Sequence, residues 1–367
     1  MNKMNKILMI HRSLGVGGAE KIMAFISNEI CSDYSVELLL LEEKEISLKL
    51  NSEIKLVQKN SYSDKPILGK KMVKGLNELK SMINEINEEI DEFNPDLIIC
   101  FDLRILLALY LGEGKKNKIL FSERADPNAN PGYWQKILRY IYKKIDYIVF
   151  QTEQAQNFYG EKIKTKSCVI PNPAVNRKSK NSVTQDEARE KIIFSAGRMQ
   201  YRKGFDLLIA AFSKISSNFP EYKLVIYGEG EQKNILEEMI KNLDLKERVV
   251  LKMPENDVVS KNRNAALFVL PSRSEGIPNI LIEAMIEEIP CVACDCSPGG
   301  ARLLSDNGKY CLLAENDDVD SLAEMLMYAL SHEESMHEMA QKAHKSMIRF
   351  SPDTIIAQWC RIIKKLI

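Results

Sequence analysis

The chain has 367 residues, 45% hydrophobic and 28% charged, enough for two domains with cores of their own. Lys plus Arg and Asp plus Glu each number 51, so the formal net charge is zero, which argues against a nucleic-acid binder and its basic surface. The longest uncharged apolar stretch, Ile105 to Leu111, falls far short of the roughly 20 residues of a membrane span, and the first residues hold no signal-peptide core, so the expected location is cytoplasmic.

Strand-like apolar runs alternate with helical periodicity from one end to the other, the pattern of parallel α/β layers. In the first half, strands are expected at 7–10, 36–41, 97–100, 119–121 and 145–150, and helices at 20–30, 71–93 and 134–142. The first strand runs into Ser13-Leu14-Gly15-Val16-Gly17-Gly18, and Ala19-Glu20 opens a helix. Glycines let backbone approach a ligand, and a helix N-terminus offers free N–H groups; the spacing is not that of a dinucleotide fingerprint. The regions 65–80 and 134–144 place Lys70, Lys71, Lys74 and Lys80, then Lys136, Arg139, Lys143 and Lys144, among apolar neighbours. Basic amphipathic helices of that kind suit an anionic membrane surface or a lipid-linked diphosphate.

Ile170-Pro171-Asn172-Pro173 stiffens an extended crossing, and the polar stretch 176–190 after it reads as a surface loop. The α/β pattern then restarts, with strands at 192–196, 224–226, 249–251, 267–270 and 291–293 and helices at 205–215, 232–242, 280–287 and 319–330. The expected organisation is a domain over 1–170, a second over 171–350, and a helix over 351–367, set off by Ser351-Pro352, that packs back on the first.

Three ligand-capable loops fall in the second half. Gly197-Arg198-Met199-Gln200-Tyr201-Arg202-Lys203-Gly204 joins a strand to a helix, and its cations suit a diphosphate whose charge grows as a sugar departs. In Ser272-Arg273-Ser274-Glu275-Gly276-Ile277-Pro278, Glu275 lies on a loop and Glu283 eight positions on lies in a helix. Two acceptor-only carboxylates so placed can each hold a vicinal diol. Cys296-Ser297-Pro298-Gly299-Gly300 is a further Gly-rich turn. Cys291, Cys294 and Cys296 read as buried thiols on a strand rather than a zinc site, because no second Cys/His pair has ligand spacing nearby. Asp318-Val319-Asp320 opens a helix and reads as acids complementing its dipole.

Gly197-Arg198-x4-Lys203-Gly204 followed by Glu275-x7-Glu283, with Gly-Gly-Ala-Glu, Ile-Pro-Asn-Pro and Ser-Pro-Gly-Gly in order around them, resembles family 4 of the retaining glycosyltransferases. The resemblance covers nearly the whole chain. It implies the GT-B fold, two Rossmann-like parallel-sheet domains facing a cleft, an acceptor-binding one before a nucleotide-sugar-binding one. It implies transfer from a nucleotide-diphosphate sugar, with UDP the favoured nucleotide, to a polyprenyl-diphosphate-linked glycan in bacterial capsule, O-antigen or protein glycosylation, at the inner face of the plasma membrane. Arg198 and Lys203 would bind the diphosphate, Glu275 the transferred sugar and Glu283 the ribose, with Gly17, Gly18, Gly228, Gly230, Gly299 and Gly300 lining the donor site. Neither a metal nor another cofactor is implied. Where relatives carry Ser-Glu-His, this sequence has Ser122-Glu123-Arg124, so Arg124 is a possible sugar or acceptor contact but no general base. Two other functions share the architecture: a nucleotide-sugar 2-epimerase, and a non-catalytic donor-binding subunit of a two-protein transferase.

Overall fold

The computed structural model describes residues 4–15, 17–62, 72–129, 132–175 and 189–367. The chain forms two compact units, Met1–Asn172 with Asp353–Ile367, and Pro173–Pro352.

In the first unit the strands are β1 (Lys6–His11), β2 (Ser35–Leu40), β3 (Lys55–Gln58), β4 (Leu97–Cys100), β5 (Ile119–Glu123), β6 (Tyr147–Phe150) and β7 (Ser167–Val169). They form one parallel sheet in the order β3-β2-β1-β4-β5-β6-β7. The helices are α1 (Gly18–Ile30), α2 (Met72–Phe93), α3 (Leu103–Leu111), α4 (Gly132–Tyr142), α5 (Glu153–Phe158) and α6 (Glu161–Lys164). The central strands are buried on both faces, which is why they appear in sequence as unbroken apolar runs. β3 is different: Lys55, Leu56 and Gln58 are exposed, and only its ladder to β2 makes it a strand. The run at 105–111 belongs to α3, whose start is fixed by the Asp102 carboxylate accepting from the N–H groups of Arg104 and Ile105. In the last helix of the chain, Pro352–Leu366, Ile355, Trp359, Ile362 and Ile363 are buried against Met9, Phe101 and Val149 of this unit. Each such side chain contributes roughly 1.5–3 kcal/mol by leaving water, and this anchors the chain's end to its beginning.

The second unit holds β8 (Glu190–Ala196), β9 (Lys223–Tyr227), β10 (Val249–Lys252), β11 (Ala265–Leu270), β12 (Cys291–Cys294) and β13 (Leu312–Ala314), parallel in the order β10-β9-β8-β11-β12-β13. Its helices are α7 (Phe205–Ile215), α8 (Lys233–Asn242), α9 (Val258–Lys261), α10 (Asn279–Ile286), α11 (Gly300–Ser305), α12 (Val319–Ser331) and α13 (Glu333–Ser346); the chain's last helix, in the first unit, is α14. Phe205, Leu208, Phe212 and Ile215 recur at helical spacing along α7 and are buried in one cluster with Ile193 and Leu267 of the sheet. Cys291, Cys294 and Cys296 are all buried, and burial pushes the thiols of Cys294 and Cys296 up to about 12. Among the described residues no His, Cys, Asp and Glu cluster has metal-site geometry. The Asp318 carboxylate accepts from Ser321 N at 2.9 Å and so caps α12.

Candidate functional site

In the second sheet β8 and β11 are neighbours, yet the chain leaves them in opposite directions, to β9 on one side and to β12 on the other. Open parallel sheets bind ligands outside the carboxyl ends of the strands at such a switch point. The two loops that begin there are 197–204, after β8, and 271–278, after β11; they carry Arg198, Lys203 and Glu275.

The loops are held backbone against backbone. Met199 is buried, and its N–H donates to Glu229 O at 2.8 Å. A 3-10 turn over Tyr201–Lys203 then ends at Gly204 in the left-handed conformation, φ 66°. A Cβ on Gly204 would lie 1.9 Å from the carbonyl oxygen of Pro271, so only glycine permits this approach. The N–H of Arg273 donates to Arg202 O at 2.8 Å across the same seam.

That seam sets Lys203 beside Glu275. The Lys203 Nζ donates to Glu275 Oε2 at 2.7 Å, with the two side chains only 14% and 17% exposed. Arg202 reaches the same oxygen from the solvent side at 3.3 Å. Arg198 is exposed and has no partner among the described residues. Two cations, Lys203 and Arg202, therefore meet one carboxylate at the end of the sheet, and the exposed Arg198 stands in the same loop, a net positive site suited to a diphosphate. Glu283, the fifth residue of α10, is half-buried, and its carboxylate has no hydrogen-bond partner among the described residues. It lines a small surface pocket with Val175, Ser260 and Glu287.

The glycines expected at the donor site approach protein backbone. A Cβ on Gly228 would lie 2.0 Å from Gly197 O, one on Gly230 2.4 Å from Met199 O, and one on Gly300 1.7 Å from Gly276 O. Their missing side chains bring the loops after β8, β9, β11 and β12 together. Gly299, at φ 82°, precedes α11. In the first unit, Gly17 is the N-cap of α1 and Gly18 its first residue; the Glu20 carboxylate folds back over Gly17, a negative charge at a helix N-terminus.

Arg124 turns inward within the first unit. Its guanidinium lies over the Phe101 ring at 4.5 Å and the Trp359 ring at 5.7 Å, and Nη1 donates to Asn172 Oδ1 at 2.7 Å. Nε and Nη2 have no hydrogen-bond partner, and burial without a carboxylate beside it pulls its pKa down to about 9, leaving it charged at neutral pH. Arg124 thus ties the end of β5 to α14 and to the start of the crossing. The adjacent Glu123 is buried against Tyr159, whose hydroxyl donates to it at 2.8 Å; desolvation raises its carboxyl to about 8, so it is neutral at pH 7.

One residue central to the geometry gave no functional signal in the sequence. Arg273 bonds Asp206, Asp317 and Tyr201 O together. It stands within the Ser-Arg-Ser-Glu run, but its acceptors lie in two other loops that only the fold brings near.

Residues 176–346 match the family model of glycosyl transferases group 1. An uncharacterized glycosyltransferase of Haemophilus influenzae is 26% identical, covering 98% of this chain and 100% of its own length. The N-acetylgalactosamine-N,N'-diacetylbacillosaminyl-diphospho-undecaprenol 4-alpha-N-acetylgalactosaminyltransferase of Campylobacter jejuni is 26% identical over 93% of this chain and 94% of its own. Among solved structures, a S. aureus TarM variant in complex with fondaparinux, alpha-GlcNAc-glycerol and UDP aligns with a TM-score of 0.76 at 17% identity, over 98% of this chain and 99% of that one. The two parallel-sheet units have the GT-B architecture, and residues 176–346, most of the second unit with its cationic loop at the switch point, form a glycosyl transferases group 1 domain.

Proposed function

We propose that this glycosyltransferase moves a sugar, with retention of configuration, from a UDP-sugar to a polyprenyl-diphosphate-linked glycan in bacterial surface polysaccharide synthesis. The observation that carries the reading is the pairing of Lys203 with Glu275 beside an unpaired Arg198 at the β8/β11 switch point. The donor diphosphate takes Lys203 and Arg198; Glu275, released from Lys203, accepts hydroxyls of the transferred sugar, and Glu283 those of the ribose. Charge growing on the leaving diphosphate is met by cations already in place, so the reaction runs without a catalytic metal. The lipid-linked acceptor named for the Campylobacter relative and the UDP of the TarM complex support this choice of acceptor and donor. Calorimetric titration should show UDP binding at least about ten-fold tighter than GDP or ADP, a difference of about 1.4 kcal/mol. Equal affinities would overturn the choice of base. Transfer from labelled UDP-sugar to a crude lipid-linked acceptor, with the product anomer read by NMR, tests reaction and stereochemistry together; sugar release without acceptor would point to the epimerase instead.

The enzyme meets its acceptor at an anionic membrane surface through the first unit. Among the described residues no helix is long and apolar enough to cross a membrane. α3 and α4 form an open apolar groove lined by Leu107, Tyr110, Leu111, Ile137 and Tyr140, with Lys136 at its edge. Leu111, Tyr133 and Tyr140 are about half exposed, and Lys136, Lys143 and Lys144 face solvent around them. Arg139 is not part of that face: it donates to Phe158 O at 2.7 Å and lies over the Phe158 ring. Lys70 and Lys71 lie outside the described residues, as does the side chain of Lys74; Lys80 on α2 is exposed. Sedimentation with anionic vesicles should fall steeply as salt rises, because surface charge is screened within about 8–10 Å at moderate ionic strength. Absent or salt-insensitive binding would leave these helices as ordinary solvated surface.

A further inference from the structure

We infer that Arg273 is a positioning residue for glycosyl transfer: by tying the loops after β8, β11 and β13 together, it holds Lys203 and Glu275 in register. The inference rests on the reading of Lys203 and Glu275 as the donor site.

Four guanidinium hydrogen bonds reach two other segments, 201–206 and the turn after β13. Nη1 and Nη2 grip the Asp206 carboxylate in a fork at 2.8 and 2.7 Å, fixing the first turn of α7. Nε donates to Asp317 at 2.6 Å, in the turn that follows β13. Nη1 also donates to Tyr201 O at 2.8 Å, and the guanidinium covers the Tyr201 ring at 4.0 Å. Main-chain bonds lie on the same line: Arg273 N donates to Arg202 O at 2.8 Å, and Asn316 Nδ2 donates to Arg273 O at 3.2 Å.

Tyr201 and Lys203 are the two ends of one 3-10 turn, and Gly204 N donates to Tyr201 O at 3.1 Å. Pinning the Tyr201 carbonyl therefore fixes where the Lys203 side chain starts. Glu275 stands two residues beyond Arg273, so the same anchor sets both members of the pair. Exposed ion pairs are worth little, but this one is 12% exposed at the arginine, forked, and stacked on a ring. A lysine has no planar fork and cannot span two carboxylates while stacking. The Arg273 guanidinium is spent on protein acceptors in these two segments, so its effect on transfer passes through Lys203 and Glu275.

The test is a mutant cycle. Arg273→Met, Arg273→Lys and Asp206→Asn are each made alone and with Lys203→Ala, and kcat and KM for the donor are measured with thermal midpoints. Arg273→Met should lower kcat by about 30- to 100-fold, the scale of a catalytic group displaced by about an ångström. In the Lys203→Ala background the same change should cost less than about ten-fold, since only the placement of Glu275 then remains to be lost. Arg273→Lys should restore only a small part of the loss. Should Arg273→Met fail to fold, Asp206→Asn carries the same cycle with a milder change, and UDP affinity provides a second readout with the same expected non-additivity. Equal losses in both backgrounds, or near-normal kcat for Arg273→Met where Lys203→Ala is impaired, would overturn the positioning role. Near-normal turnover of Lys203→Ala alone would instead overturn the donor-site reading, and the inference with it.

Discussion

Lys203→Ala should depress turnover at saturating donor by about a hundred-fold or more, near 3 kcal/mol, the scale of removing a preorganised charge stabiliser. Negative charge on the leaving diphosphate grows as the glycosidic bond breaks, so a cation aimed at it favours the transition state over the bound donor. The structure adds a second contribution. With Lys203 gone, the Glu275 carboxylate keeps only the solvent-side Arg202 contact at 3.3 Å and repels the incoming diphosphate. Donor affinity should therefore weaken too, though by less than turnover. Arg198→Ala should also lower turnover, without that repulsion, because Arg198 has no carboxylate partner among the described residues. Steady-state kinetics on folded variants decides the matter. If both variants keep near-normal turnover at saturating donor, the donor site lies elsewhere.

Gly204→Ala should cost the fold about 3 kcal/mol or more. A left-handed residue other than glycine costs roughly 1–2 kcal/mol, and the new methyl would lie 1.9 Å from Pro271 O, backbone that moves only by opening the β8/β11 seam. Gly308→Ala separates the two effects: its φ is 92°, but the nearest atoms to an added Cβ are 4.0 Å away, so only the conformational cost applies. At about 2–4 °C per kcal/mol for a unit of this size, thermal unfolding should show a fall of roughly 6–12 °C for Gly204→Ala and about half of that or less for Gly308→Ala. Similar shifts for the two variants would mean that the loops yield, and that the close approach does not fix Lys203.

Much of the architecture can be read along the chain because the central strands are buried on both faces. Runs such as Leu97–Cys100 and Cys291–Cys294 have no polar alternation to confuse them, and α7 shows its period through Phe205, Leu208, Phe212 and Ile215. β3 and the three-residue β7 and β13 escape such a reading. At the edges of a sheet, the partner's ladder and not the strand's own composition makes a segment extended. The glycines of 228–230 and 299–300 show the opposite limit. Their presence is plain in the sequence, but what they approach is not: three of them admit neighbouring backbone carbonyls.

The sequence by itself determined the kind of chemistry: cations in a strand–helix loop, two carboxylates eight positions apart, and a repeated α/β pattern on either side of a proline-stiffened crossing. Those are local properties, set by residue type and spacing. Only the tertiary structure decided which of these groups meet. Lys203 and Glu275 are 72 positions apart and share a hydrogen bond because β8 and β11, separated in sequence, are neighbours in the sheet. For the same reason Arg273 finds its acceptors in two other loops, and Arg124 turns away from solvent onto Phe101 and Trp359, since an arginine's partners depend on what packing brings within reach of its fork.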